Sequence, residues 1–130
     1  MTQSQPAADL VPTDIRLRRK SRVLELSYAN GTKHQLSFEY LRTHSPSAEV
    51  QGHGPGQDVL QIAKEQVEVT RVDPVGHYAV RLVFSDGHDT GLYTWKYLRE
   101  LAEKHAANWA RYLARLDQIG YERKPVTRSE

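Results

Sequence analysis

Apolar and polar residues alternate in several short stretches of the chain, and each stretch ends at a turn-forming residue. Thr13–Leu17 (TDIRL) places Ile15 and Leu17 on one face, a period of two that predicts a strand. The basic run Arg18-Arg19-Lys20-Ser21 interrupts it. Alternation resumes over Arg22–Tyr28 (RVLELSY), with Leu24, Leu26 and Tyr28 on one face. Asn30-Gly31 suits a type I′ hairpin turn, in which both central residues take positive φ. His34–Phe38 is the predicted return strand. Phe38–His44 then fits one or two helical turns, with Tyr40 and Leu41 facing inward.

Ser45–Gln57 (SPSAEVQGHGPGQ) holds two prolines and three glycines and reads as a long loop. Asp58–Glu65 fits either a helical turn or a strand. Gln66–Val72 alternates and predicts a strand, and Asp73-Pro74-Val75-Gly76 a turn with Pro at its second position. Tyr78–Ser85 is the most apolar strand and is placed centrally. Asp86-Gly87 marks a second hairpin turn, and His88–Tyr93 its return strand.

Thr94 is positioned to cap a helix, its hydroxyl taking a free N–H of the first turn. Beyond it, Trp95, Leu98, Leu101, His105, Trp109, Tyr112 and Leu116 recur at helical spacing, the stripe of a helix packed on a sheet. One helix from Trp95 to Ile119 would be ~37 Å long at about 1.5 Å per residue. A break near His105–Asn108 is therefore expected, with Asn108 as the second cap, and Gly120 as the final stop. The predicted class is α+β: a small antiparallel sheet built from two hairpins, packed against a C-terminal amphipathic helix, whole or broken in two. The expected organisation is a disordered tail over 1–12, a single domain over 13–121 and a flexible tail over 122–130.

The two hairpin-to-helix segments also line up with each other. Leu26 to Gly31 sits over Leu82 to Gly87. Leu36 sits over Leu92, each five residues past the glycine. After one inserted residue, Tyr40-Leu41-Arg42 sits over Tyr97-Leu98-Arg99.

Composition narrows the class without naming a reaction. A length of 130 residues favours one domain with a modest core. The absence of cysteine removes disulfides, thiolate metal sites and cysteine nucleophiles. No apolar run reaches the roughly 18 residues of a membrane span. The first twelve residues lack the basic and apolar regions of a signal peptide, so a cytoplasmic protein is expected. A net charge of +2 points to neither a membrane nor a nucleic acid.

Six histidines, His34, His44, His53, His77, His88 and His105, raise the question of a metal. None pairs with another at i, i+4 spacing and no HExxH occurs, so scattered surface or partly buried histidines are the simpler reading. Gly52-His53-Gly54-Pro55-Gly56 resembles a phosphate-cradling loop but lacks the Lys-Ser/Thr pair. Arg16, Arg18, Arg19, Lys20 and Arg22 would suit phosphates. They suit a solvated strand edge better, since no aromatic platform is interleaved with them. Asp86, His88 and Asp89 form either an acid–base set or a plain turn.

SFEYLRTHSPSAEVQGHGPGQ, FSDGHDTGLYTWKYL and NWARYLARLDQIGYER together resemble the DUF971 family, the gamma-butyrobetaine hydroxylase-like N-terminal domain, from about Pro12 to Arg123. The resemblance implies a small α+β domain. It occurs alone in bacteria, as the non-catalytic N-terminal domain of Fe(II)/2-oxoglutarate hydroxylases, and beside iron–sulfur scaffold proteins of the chloroplast. In the hydroxylases three cysteines and one histidine hold a structural zinc. Those cysteine positions fall on Ser45, Ser47 and Val50, and the histidine on His88. Hydroxyl and alkyl groups do not replace thiolates, so the hydroxylase zinc site is expected to be absent. No iron-binding jelly roll is present either, so hydroxylase activity is not implied.

The function expected from this resemblance is a non-enzymatic accessory or protein-interaction domain, associated with iron–sulfur assembly or with 2-oxoglutarate oxygenases. Its expected contact surface is Ser45, Pro46, Ser47, Gly52, His53 and Gly54 of the long loop, together with Asp86, Gly87, His88 and Gly91. The partner expected is another protein, with no membrane and no nucleic acid. The alternative is a metal-binding module for zinc or iron, with His88 joined by His44 or His53. Weak nucleic-acid binding through Arg16–Arg22 ranks third. No catalytic residue and no cofactor follow from the residues themselves.

Overall fold

The computed structural model describes residues 10–52 and 56–126. In chain order the elements are β1 (Asp14–Arg18), β2 (Val23–Ser27), β3 (Lys33–Ser37), α1 (Phe38–Thr43) and α2 (Ala48–Gln51). They continue with β4 (Val69–Val75), β5 (Ala79–Phe84), β6 (Leu92–Thr94), α3 (Trp95–Glu103) and α4 (His105–Gln118). The α+β class is as expected. The strands form two three-stranded antiparallel sheets, β1-β2-β3 and β4-β5-β6, where the sequence pattern suggested one. Their inward faces share one core. Leu24, Leu26, Leu36 and Tyr40 come from the first half, and Val80, Leu82, Phe84, Tyr93 and Leu98 from the second. Burial of each such side chain contributes about 1.5–3 kcal/mol.

The hairpin positions are as the sequence suggests, but the turn type is not. The Gly31 N–H donates to the Tyr28 carbonyl, and the Tyr28 N–H to the Thr32 carbonyl. The second turn repeats this, from Gly87 to Phe84 and from Phe84 to His88. Only the glycines have positive φ, 89° and 90°, so neither Asn30 nor Asp86 takes the left-handed form that type I′ requires. These are three-residue hairpins closed by a glycine bulge.

Pro74 lies inside β4, opposite Val80, and not in a turn. β4 is an edge strand, so the missing N–H costs it no ladder bond. The turn comes two residues later, where Gly76 has φ 54° and the Tyr78 N–H reaches the Val75 carbonyl. Residues 58–65 form neither helix nor strand. The C-terminal helix breaks at Lys104, whose φ and ψ are −102° and 18°. Asn108 is inside α4 and caps nothing; its side-chain amide donates to the Tyr40 hydroxyl at 3.1 Å.

The similarity between the halves is structural. Ser37 caps α1 by accepting the Tyr40 N–H, and Thr94 caps α3 by accepting the Tyr97 N–H. The Tyr40 hydroxyl donates to the Leu101 carbonyl at 2.7 Å, and the Tyr97 hydroxyl to the His44 carbonyl at 2.6 Å. Counted from its cap, each donor is the third residue of its helix and each acceptor the seventh. The arginines at matching positions also cross over. Arg42 bonds Asp86 in the second turn, and Arg99 lies 4.2 Å above the Tyr28 ring beside the first.

Residues 122–126, assigned from sequence to a tail, are hydrogen-bonded onto the domain. Arg123 pairs with the buried Glu39 and stands over Trp109, and the Lys124 N–H donates to Glu65 at 2.8 Å. Among the described residues no helix is long and apolar enough to cross a membrane.

Candidate functional site

α1 ends at His44, and Pro46 cannot continue it, so the chain leaves the helix at Ser45 and enters α2 through Ser47. Ser47 has the extended backbone of a helix cap, with φ −68° and ψ 155°, yet makes no side-chain capping bond. Its hydroxyl faces His88 instead, 3.4 Å from Nε2. The Ser45 hydroxyl lies closer to the same nitrogen, at 2.9 Å. On the other side of the ring, Nδ1 is 3.2 Å from a Glu49 carboxylate oxygen.

These contacts assign the proton. A carboxylate only accepts, so Nδ1 carries the hydrogen and Nε2 receives the serine hydroxyls. Burial holds the His88 pKa below its usual value, and the Arg42 guanidinium acts in the same sense; Glu49 and Asp86 oppose them. The ring is therefore neutral at pH 7. Arg42 and Lys64 both reach the Asp86 carboxylate, at 3.0 and 2.9 Å. Burial works to raise the Asp86 pKa, but Lys64, the His88 N–H and Arg42 together hold it low.

The order serine hydroxyl, imidazole, carboxylate is the hydrogen-bond order of a nucleophilic triad. Burial stands against that chemistry here. Ser45 is 0% exposed and His88 7%. A Cβ on Gly91 would stand 2.5 Å from the Ser45 hydroxyl oxygen, so Gly91 packs directly against the cluster. Glu49, in contrast, is 67% exposed.

The structure thus brings Ser45, Ser47, His88 and Gly91 together and buries them, which leaves them no surface for a partner. Pro46, Gly52, Asp86 and Gly87 stay at least partly accessible. His53 and Gly54 lie outside the described residues. His44 points elsewhere: its Nδ1 lies 3.1 Å from the Tyr40 carbonyl, and its ring packs on Tyr40 and Tyr112. Burial lowers its pKa to about 4. Among the described residues no three His, Cys, Asp or Glu side chains converge to hold a metal. Sequence spacing gave no sign of Glu49 or of the Arg42–Asp86 pair, both of which depend on how the two halves meet.

The gamma-butyrobetaine hydroxylase-like N-terminal profile matches residues 15–99. The chain belongs to this family. A crystal structure of a DUF971 protein of unknown function from Acidithiobacillus ferrooxidans is 44% identical, with a TM-score of 0.61 over 76% of this chain and 98% of that one. Two proteins with solution NMR structures are 47% and 50% identical, with TM-scores of 0.76 and 0.75. Each alignment spans 91% of this chain, with 93% and 88% of the respective relatives. No curated protein matches. Within this DUF971 chain, the residues at the hydroxylase zinc positions do not suit zinc. Two hydroxyls hydrogen-bond the retained histidine, and Val50 is a buried alkyl group.

Proposed function

We propose that this DUF971 chain is a non-enzymatic interaction domain. The observation that supports this reading is burial: among the described residues, the Ser45–His88 pair has catalytic connectivity, yet both side chains are almost wholly withdrawn from the surface. A buried, fully bonded polar cluster has another use, which is to fix the α1–α2 connection against the second hairpin. The hydroxylase-like family name makes 2-oxoglutarate oxygenases the first partners to try, and the resemblance to domains found beside iron–sulfur scaffold proteins adds iron–sulfur assembly proteins.

The test is affinity capture with the whole chain, followed by reconstitution from purified components. A saturable complex is expected, unchanged by Ser45→Ala. Hydrolysis of ester or amide substrates that disappears in Ser45→Ala would overturn the reading.

A further inference from the structure

β1 and β4 are outer strands of their sheets, and among the described residues each leaves one edge without a strand partner. A single cleft of about 450 Å³ is lined by residues from both of these strands. Ile15 and Leu17 line it from β1, Val72 and Pro74 from β4, and Trp95 from the start of α3. In β1 these are alternate residues, so one face of that strand borders the cleft, whereas β4 adds Thr70 and Arg71 near its irregularity. Arg19 closes one end by donating to the Thr70 carbonyl at 3.0 Å.

The two edges are not equivalent as templates. β4 carries Pro74, which has no N–H, and an irregularity between Val69 and Arg71. β1 has neither. The charge of the lining itself is also one-sided. The lining holds Arg19 and Arg71 and no carboxylate, and Arg16, Arg18 and Lys20 lie alongside. Asp14, Glu25 and Asp73 offset Arg16, Arg18 and Arg71, whereas Arg19, among the described residues, meets a backbone carbonyl and no carboxylate. A second copy of this chain pairing edge to edge would set these cations against each other, which disfavours self-association.

We propose that the β1 edge accepts an extended segment of a partner protein in which apolar residues alternate with Asp or Glu. The apolar side chains enter the cleft over Leu17 and Trp95. The carboxylates meet Arg16, Arg18, Arg19 and Lys20, and backbone bonds lengthen the first sheet by one strand. This rests on the interaction-domain reading and names the surface and the chemistry of its partner.

The probe is a short fluorescein-labelled peptide of alternating Glu and Val, with a Lys–Val peptide as control, followed by fluorescence anisotropy and amide hydrogen exchange. The Glu peptide is expected to bind at least about tenfold more tightly than the Lys peptide and to weaken as salt rises. Exchange should slow at the amides of Asp14–Arg18. Arg18→Glu with Arg19→Glu, at exposed positions, should weaken binding about tenfold while the circular dichroism spectrum stays unchanged. Equal binding of both peptides, protection confined to α4 or the Asp86-Gly87 turn, or a concentration-dependent dimer that the peptide does not dissociate would each overturn the proposal. If a reconstituted partner binds but protects a different surface, the cleft is wrong and the interaction reading stands. If no partner binds at all, that reading falls with it.

Discussion

The units β1-β2-β3-α1 and β4-β5-β6-α3 follow one plan and part company just after the second turn. In the first unit the return strand pairs along its full length, from Ser27↔Lys33 to Val23↔Ser37. In the second, pairing is restricted to Arg81↔Leu92 through Ala79↔Thr94. The ladder stops at Leu92, and residues 89–91 leave β5 after the His88 carbonyl has accepted the Phe84 N–H, with Gly91 packed against Ser45. The extra residue therefore falls between the turn and β6. Its consequence shows in burial: Leu36 is 1% exposed and Leu92 40%, so the residue matching Leu36 is Tyr93. The buried cluster sits where the repeat is broken, because a regular ladder would leave no room for it.

The largest expected effect comes from forcing the second unit back towards the first. Gly91→Ala should cost about 2–3 kcal/mol, since the new methyl collides with the Ser45 hydroxyl. Urea unfolding of Gly91→Ala, Ser45→Ala and the double variant would measure it. The double variant should be less destabilised than the sum of the singles; strict additivity would separate Gly91 from the cluster.

Next in size is a pH effect centred on the first unit. His44 occupies the place that Leu101 fills in the other copy. Its folded pKa of about 4 lies below the ordinary 6.5, so the unfolded chain binds the extra proton first. Stability should be fully present above pH 6.5 and be lost as pH falls towards 4. The loss is about 2 kcal/mol between pH 7.5 and 5. His88 titrates in the same sense and adds to the slope. Denaturant unfolding across this range should show a flatter slope for His44→Leu, whatever its absolute stability.

The tyrosine exchange predicts near-equality between the units. Tyr40→Phe and Tyr97→Phe should each cost about 1–2 kcal/mol by leaving a carbonyl unpaired. Tyr40→Phe should cost more, because its hydroxyl also serves Asn108. Thermal unfolding of the two variants in parallel decides this, and a tenfold smaller effect at one position would break the equivalence. Smallest is Glu49→Gln, expected within about 0.5 kcal/mol because the carboxylate is exposed and screened by solvent. A larger loss in chemical denaturation would mean that Glu49 is needed to hold the His88 ring.

Much of this comparison was legible in the sequence. Alternation located β2, β3 and β5, because which face a side chain takes is a local property of an extended backbone. Thr94 and the apolar stripe located α3 and α4 for the same reason. The turn type at Asn30-Gly31 was missed because it depends on one φ angle, that of Asn30. Pro74 was misplaced because its tolerance depends on β4 lying at an edge, a fact of tertiary pairing. The closeness of Ser45, Ser47 and His88 followed from the family pattern, while spacing alone gave no hint of it. The β1–β4 cleft was invisible, since Ile15 and Leu17 read simply as one face of a strand until the two sheets are placed side by side.

The crossed tyrosines carry one more consequence. Each unit gives the same donor and takes the same acceptor, which is the form of an isologous contact between identical subunits. A half-length chain with the second unit's Tyr97 and Leu101 positions would thus hold both ends of the exchange. Two such chains could rebuild it as a symmetric homodimer.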